Sequence, residues 1–403
     1  MVNLRHKMVL ALIIIMLGIT GLSAGNSIFS LAGLPYQYSG NDIYSQGMGD
    51  VGIGDGLRLS NGFANPALMN TAGTVNFYTA LKMGNINYTT DGDLEFGDDA
   101  LDFPFFSMVA PFRRHRFGFQ FNSYKSGNVE NYVVISDSLS EHNLIDSYIY
   151  KLDFYYGYRF NGGLSIGVGP NVYIGHTEQE YIQEGGFGVF NARYKKTVTF
   201  TDMGFTAGIL KQAPTWSLGG RYEYGKELET EKEFASIHSV EDLDSEAYKL
   251  PHRVGVGFAK KWQGKYKLAS DFNYEVWDDF NGVDYHNSWK AGVGVAYEPK
   301  MRKRGFWKYV PYRAGLSLRE LPFDYNNNKI YEQAYTVGFS LPFKSKINKL
   351  DFALEYMIRG DEVDHGIRDE SIMLMIGFSG FDIFRKVHRR VAPHEIPVKD
   401  SDN

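Results

Sequence analysis

Apolar and polar residues alternate with a period of two through most of this chain, in runs of roughly ten residues or more. In "KLDFALEYMIR" (349–359), Leu350, Phe352, Leu354, Tyr356 and Ile358 fall on one face of an extended strand, and Asp351, Ala353, Glu355, Met357 and Arg359 on the other. In "YIYKLDFYYGYRF" (148–160), Tyr148, Tyr150, Leu152, Phe154, Tyr156, Tyr158 and Phe160 oppose Lys151, Asp153, Gly157 and Arg159. Soluble sandwiches also alternate. Long runs with aromatics near their ends are instead the pattern of a barrel wall that meets lipid on one face and a polar lumen on the other.

About fourteen such runs are counted, an even number, as a bacterial single-chain barrel requires. The first is placed near 73–83, the second near 102–112 and the last near 370–381. The expected fold is all-β: a transmembrane antiparallel barrel over 73–384. Connections alternate in length. "RRH", "NG", "KQA", "QG", "EPKMRKRG" and "KSKI" are short, and the connections between them are long. Charge sorts with length: the short turns and their flanks carry Arg113, Arg114, Arg116, Lys211, Lys260, Lys261 and Lys303, whereas the long loops carry Asp91, Asp93, Glu95, Asp98, Asp99 and Asp361. Short basic turns belong at the periplasmic rim and long acidic loops outside. The fourth long loop, "KELETEKEFASIHSVEDLDSEAYK" (226–249), is rich in helix formers and is expected to make short helices over the mouth.

Arg5, His6 and Lys7 precede the apolar run "MVLALIIIMLGITGL", and Ser23, Ala24 and Gly25 come after it, which is the layout of a secretory signal over 1–25. The run is shorter than the ~20 residues that span a bilayer as a helix. Together with the alternation, this directs the chain to the outer membrane of a diderm bacterium. Residues 385–403 extend past the last strand as a basic tail, read either as a contact for a periplasmic protein or as a disordered extension.

Composition removes several function classes. The chain has no cysteine, so thiolate metal sites and cysteine nucleophiles are excluded, and a net charge of −5 gives no sign of nucleic-acid binding. The ten histidines are scattered, and neither His-Glu-x-x-His nor Gly-x-Ser-x-Gly occurs. No catalytic residue, metal ligand or cofactor is assigned. "GMGDVGIGDG" contains Gly-x-Gly-x-x-Gly at Gly47, Gly49 and Gly52, but no apolar strand precedes it, and Gly62 and Pro66 interrupt the residues after it before a helix is established. A dinucleotide cradle needs both a strand before and a helix after.

The glycine-rich segment ends in Asn65-Pro66-Ala67, directly before the first strand. A signal, a glycine-rich stretch closing on Asn-Pro-Ala and about fourteen strands together resemble the FadL family of outer-membrane transporters for long-chain fatty acids and other hydrophobic compounds. The resemblance implies that residues 26–72 form a hatch inside the barrel, and that the chain passes hydrophobic or amphipathic small molecules by binding and passive diffusion. Glycine suits close passage of backbone past a wall, and Pro66 fixes one bend. The sequence departs from the family by placing Arg58 where alanines are usual.

Removing the lipid-facing alternates leaves a mixed inner face. Ile149, Tyr155, Met357, Met373 and Met375 are candidates for an apolar pocket, and Arg159 and Arg359 for a carboxylate head group. With Asn65, Pro66 and Ala67 of the hatch, these are the candidate ligand-binding residues; membrane lipids and a hydrophobic small molecule are the expected partners. Two other readings stand beside transport: a general porin, disfavoured by the plug, and a barrel component or anchor of a protein-secretion machine.

Overall fold

The structure is a computed structural model, which describes residues 27, 29, 36–37 and 39–380, except 91–93, 137–138, 186–191, 226, 237–239, 244–247, 278–284, 300–305, 309 and 343–348. The signal (1–25) and tail (385–403) lie outside the described residues, as do several positions of the expected hatch.

Strand β1 (Tyr36–Gln37) belongs to the N-terminal segment; β2 (Asn76–Thr90), β3 (Leu94–Asp102), β4 (Phe105–Phe112), β5 (His115–Ser136), β6 (Leu139–Arg159), β7 (Leu164–Gly185), β8 (Ala192–Gln212) and β9 (Trp216–Tyr224) form the first half of the wall. After β10 (Glu227–Ser236), β11 (Val240–Leu243) and β12 (Tyr248–Lys249), the wall continues through β13 (His252–Trp262), β14 (Tyr266–Val276), β15 (Ser288–Tyr297), β16 (Tyr312–Tyr325), β17 (Asn328–Pro342), β18 (Lys349–Asp361) and β19 (Ile367–Gly380). Every wall neighbour is antiparallel; β9 pairs with β13, and β19 closes onto β2 along its whole length, from Ile367↔Thr90 to Gly380↔Phe77. Counting β3 and β4 as two halves of one interrupted strand, the barrel has 14 strands.

The wall is inside-out relative to a soluble protein. On β18, Asp351, Ala353, Glu355, Met357 and Arg359 are buried in the lumen, while Leu354 is exposed. On β19, Asp369, Ser371, Met373 and Met375 point in, and Ile372 and Leu374 point out. The exposed band continues through Phe154, Ile209, Leu218, Val256, Phe272 and Val295. Such a surface suits hydrocarbon, and closure leaves few backbone groups unpaired there, so the chain has the architecture of a transmembrane β-barrel. Among the described residues no helix is long and apolar enough to cross a membrane.

Three expectations need correction. The acidic stretch through Asp98 and Asp99 is not a loop: Leu94–Asp102 is strand β3, paired with β2 from Thr90↔Leu94 to Lys82↔Asp102. Strands β5, β6, β7 and β8 run to 22, 21, 22 and 21 residues, about twice the 9–11 that a spanning strand needs. Beyond the apolar band the ladder persists in polar sequence, because backbone pairing does not require apolar side chains. The helices expected over 226–249 are strands where described. β10 pairs with the end of β8 from Glu229↔Thr201 to Ser236↔Tyr194, and this tertiary ladder outweighs the intrinsic helix preference of Glu, Lys and Leu.

Candidate functional site

Residues 40–72 of the N-terminal segment are almost all buried inside the barrel. They contain a one-turn helix α1 (Ile43–Gln46), capped by Asp42, and a 3-10 turn over Pro66–Thr71, capped by Asn65. Backbone passes so close to the wall that glycine faces glycine. At Gly49, φ is +75° and an added Cβ would lie 2.5 Å from Val293 O and 2.7 Å from Leu316 O, opposite wall glycines Gly292, Gly294 and Gly315. The glycines of the Gly-x-Gly-x-x-Gly stretch therefore serve packing and form no phosphate cradle.

Charge pins the segment. Arg58, the departure noted in the sequence, is its internal strut: its guanidinium donates to Asp42 at 2.7 Å and to Asp55 at 3.0 Å. Burial alone would raise the Asp42 carboxyl; Arg58 outweighs it and holds that carboxyl well below the ordinary carboxylate range. The wall supplies matching groups. Lys267 Nζ reaches Asp55 at 2.6 Å, Lys290 Nζ reaches Asp50 at 2.6 Å, and Asp271 accepts from the N–H groups of Gly52 and Ile53 at 2.6 and 2.7 Å. Tyr44 donates to Glu298 at 2.6 Å, and its ring lies within 4.3–4.9 Å of four cations, Arg58, Lys267, Arg313 and Lys349.

A narrow cavity opens between the segment and β2, β3, β18 and β19. It is lined by Ser27, Lys82, Ile86, Ala100, Asp102, Met357, Arg359, Asp369, Ser371 and Met373, with an interior of about 20 Å³, room for one or two waters. Met357 and Met373 give it adaptable apolar walls. Arg359 is engaged by Glu332 at 2.8 Å and Asp369 at 2.9 Å, and Ser27 Oγ donates to Asp369 at 2.5 Å.

The wall is interrupted beside this cavity. After residue 104, β4 pairs with β5 from Phe105↔Asn122 to Phe112↔His115; before it, β3 pairs with β2 alone among the described residues. On that side, the β5 edge above Ser123 takes only Tyr36 and Gln37 of β1 among the described residues, opposite Ser126 and Lys125. Phe103 and Pro104 make the break, where Pro lacks the N–H a ladder needs. Among the described residues, β3 and β5 thus share no ladder, and only the two residues of β1 pair with β5 there.

The structure brings together Met357, Arg359 and Met373. Met375 is buried one inward step along β19, in a cluster with Ile43 and Tyr78, outside the cavity lining. Ile149 packs with Tyr124 and Tyr173, and Tyr155 with Phe63 and Met69, on other arcs of the lumen. Arg159 is exposed at the end of β6, outside this cavity. Asn65 is an anchor, donating to Ile53 O at 2.9 Å and Ile209 O at 3.1 Å while accepting from Ala67 N; Pro66 lies against Gly167 and Gly208, and Ala67 packs on Leu210. Lys82, Ile86, Ala100 and Asp369 escaped the sequence reading. Ile86 and Ala100 continue the period-two inner face past the points where the first two strands were placed to end and begin, so extending both runs would have found them.

Similar barrels are known. A Pseudomonas aeruginosa FadL homologue superimposes with a TM-score of 0.59 at 14% identity, covering 86% of this chain and 99% of that one. The Pseudomonas putida toluene transporter TodX gives 0.59 at 15% identity over 86% and 99%, and the CymD monoaromatic hydrocarbon channel 0.56 at 14% over 84% and 97%. At such identities these share the fold, so the resemblance to FadL holds for architecture. No curated protein matches the chain. The family model described as BamG matches residues 3–386, nearly the whole sequence, and the chain belongs to the BamG family.

Proposed function

We propose that this barrel takes up small hydrophobic molecules across the outer membrane, binding them between the hatch and the β2–β3–β18–β19 arc and releasing them sideways between β3 and β5. The observation that carries this is the coincidence of an adaptable, methionine-lined cavity with an interrupted wall on the same strands. As it stands, the cavity holds little more than water, so entry of a ligand requires Met357 and Met373 to repack, which their unbranched side chains allow. The neighbours named as toluene and monoaromatic hydrocarbon channels support the reading by sharing the fold. The ion pairs of Asp55 with Lys267 and of Asp50 with Lys290 keep the hatch seated, which favours passage along the wall over a polar channel through the centre. The test is cellular uptake of labelled toluene and labelled palmitate. Ala100→Leu, which fills the cavity, should reduce uptake of the ligand that is carried while the barrel still assembles; unchanged uptake of both would remove the site from transport.

A second reading, a component of a protein-secretion assembly, is favoured by the height of β5–β8 and the added β10–β11 pair, which raise a broad sheet beyond the apolar band. Trimming the hairpin over 127–147 distinguishes the two. Transport predicts normal outer-membrane protein levels after trimming, whereas the assembly role predicts that they fall.

A further inference from the structure

A second cavity lies against the hatch on the arc formed by β9 and β13–β16, and its chemistry is opposite to that of the methionine-lined one. Only Ile53 and Ala64 among its lining residues are apolar. Four cationic side chains, Arg221, Arg253, Lys290 and Arg319, face two carboxylates, Asp50 and Glu275. Both carboxylates are already engaged. Asp50 holds Lys290 at 2.6 Å and accepts from Ser39 and Asn41. Glu275 lies 3.1 Å from Arg253 Nε and 3.7 Å from Arg319, and accepts from Trp277 and Ser288. Glu223, 3.9 Å from Arg253, is taken more closely by Lys151 at 2.9 Å.

Among the lining residues positive charge is therefore in excess, with Glu332 and Glu223 as further carboxylates just outside the lining, and two of the four cations, Arg253 and Arg319, are buried. Arg253 is only 3% exposed, and its Nη2 meets no acceptor among the described residues; its Nε, although near Glu275, is not aligned for a hydrogen bond. Arg221 donates only to neutral oxygens, Ala64 O at 3.2 Å and Asn273 Oδ1 at 3.0 Å, and its buried Nε is unpartnered among the described residues. A buried guanidinium with idle donors is costly unless an anion completes it, and its planar fork matches an oxyanion. The interior of about 40 Å³ has room for roughly three water-sized groups.

We propose that this cavity binds a small oxyanion, a carboxylate or a tetrahedral phosphate or sulfate group, carried by a polar solute. The absence of an apolar annex among the lining residues sets its ligand apart from the hydrophobic one, and the site stands whether or not the barrel transports.

The test is isothermal titration calorimetry on the full-length mature protein in detergent, with sodium acetate, phosphate and sulfate at constant ionic strength and chloride as reference. Saturable binding of at least one oxyanion is expected, strongest with acetate if the site selects a carboxylate and with phosphate or sulfate if it selects a tetrahedral group. Arg253→Met and Arg221→Gln should each weaken it about tenfold or more, while Lys211→Gln at the exposed end of β8 should not. Arg221→Gln keeps a donor for Ala64 O, so it remains informative should Arg253→Met fail to fold. No saturable heat with any of the three anions, or equal binding by wild type and the arginine variants, would overturn the proposal.

Discussion

Lys267 of β14 and Asp55 of the hatch meet at 2.6 Å with their side chains 0% and 1% exposed, so the wall and the segment inside it share a fully buried ion pair. Lys267 also lies 3.1 Å from Glu298, and Asp55 is held from its own segment by Arg58. The hatch is thus fixed by a charge network spanning both parts of the chain, and its seating should respond to removal of single members.

Asp55→Asn or Lys267→Met alone leaves a buried charge short of its partner, and each is expected to weaken hatch seating by about 3–5 kcal/mol. The double variant should cost less than the sum of the two, because Glu298 keeps Lys261 at 2.5 Å and Arg58 keeps Asp42. Single-channel conductance in planar bilayers checks this: frequent openings in each single variant, fewer in the double.

Gly49→Val should unseat the hatch without preventing barrel assembly. A β-branched residue at φ +75° costs about 1–3 kcal/mol in backbone strain, and its Cβ would in addition press on the backbone of Val293 and Leu316. Heat-modifiable mobility on gels should persist while conductance rises; normal conductance with a folded barrel would show that the close approach can relax.

Arg359 is a structural partner of Glu332 and Asp369 before it is a ligand group. Arg359→Met should lower the temperature at which the barrel loses heat-modifiable mobility, since two buried carboxylates lose their cation. If its role is to brace the cavity, uptake of neutral toluene and of acidic palmitate should fall in parallel. A selective loss of palmitate uptake would assign Arg359 to the head group.

The barrel was legible because its physics is periodic. Alternation such as Phe352/Ala353/Leu354/Glu355 depends on two solvents meeting two faces, and fourteen runs located the wall with the short turns at Arg113, Asn161 and Gln263 in place. Strand ends were not legible. Leu94–Asp102 carries Leu94, Phe96 and Ala100 at even spacing, but Glu95, Asp98, Asp99 and Asp102 give it the composition of a loop, and its pairing with β2 exists only once the hairpin forms. A hatch was expected from the family resemblance, and the burial of residues 40–72 is consistent with it; the fastening of that segment was not legible, because nothing local to Lys267 indicates Asp55, 212 positions away in sequence. Met357, Arg359 and Met373, on paired strands, line one cavity with Lys82 and Asp369, which no local signal marks, while Ile149 and Tyr155 lie on other arcs of the lumen and Arg159 at the exposed end of β6.

The most direct test of the uptake reading is a crystal of the mature barrel soaked with a brominated aromatic hydrocarbon, with the bromine located by its anomalous scattering. The account predicts a peak beside Ile86, Met357 and Met373, with the methionine side chains displaced and the hatch still holding Asp55 against Lys267. A lumen with no bromine peak in that cavity at saturating ligand, or a peak only among detergent on the outer surface, would contradict it.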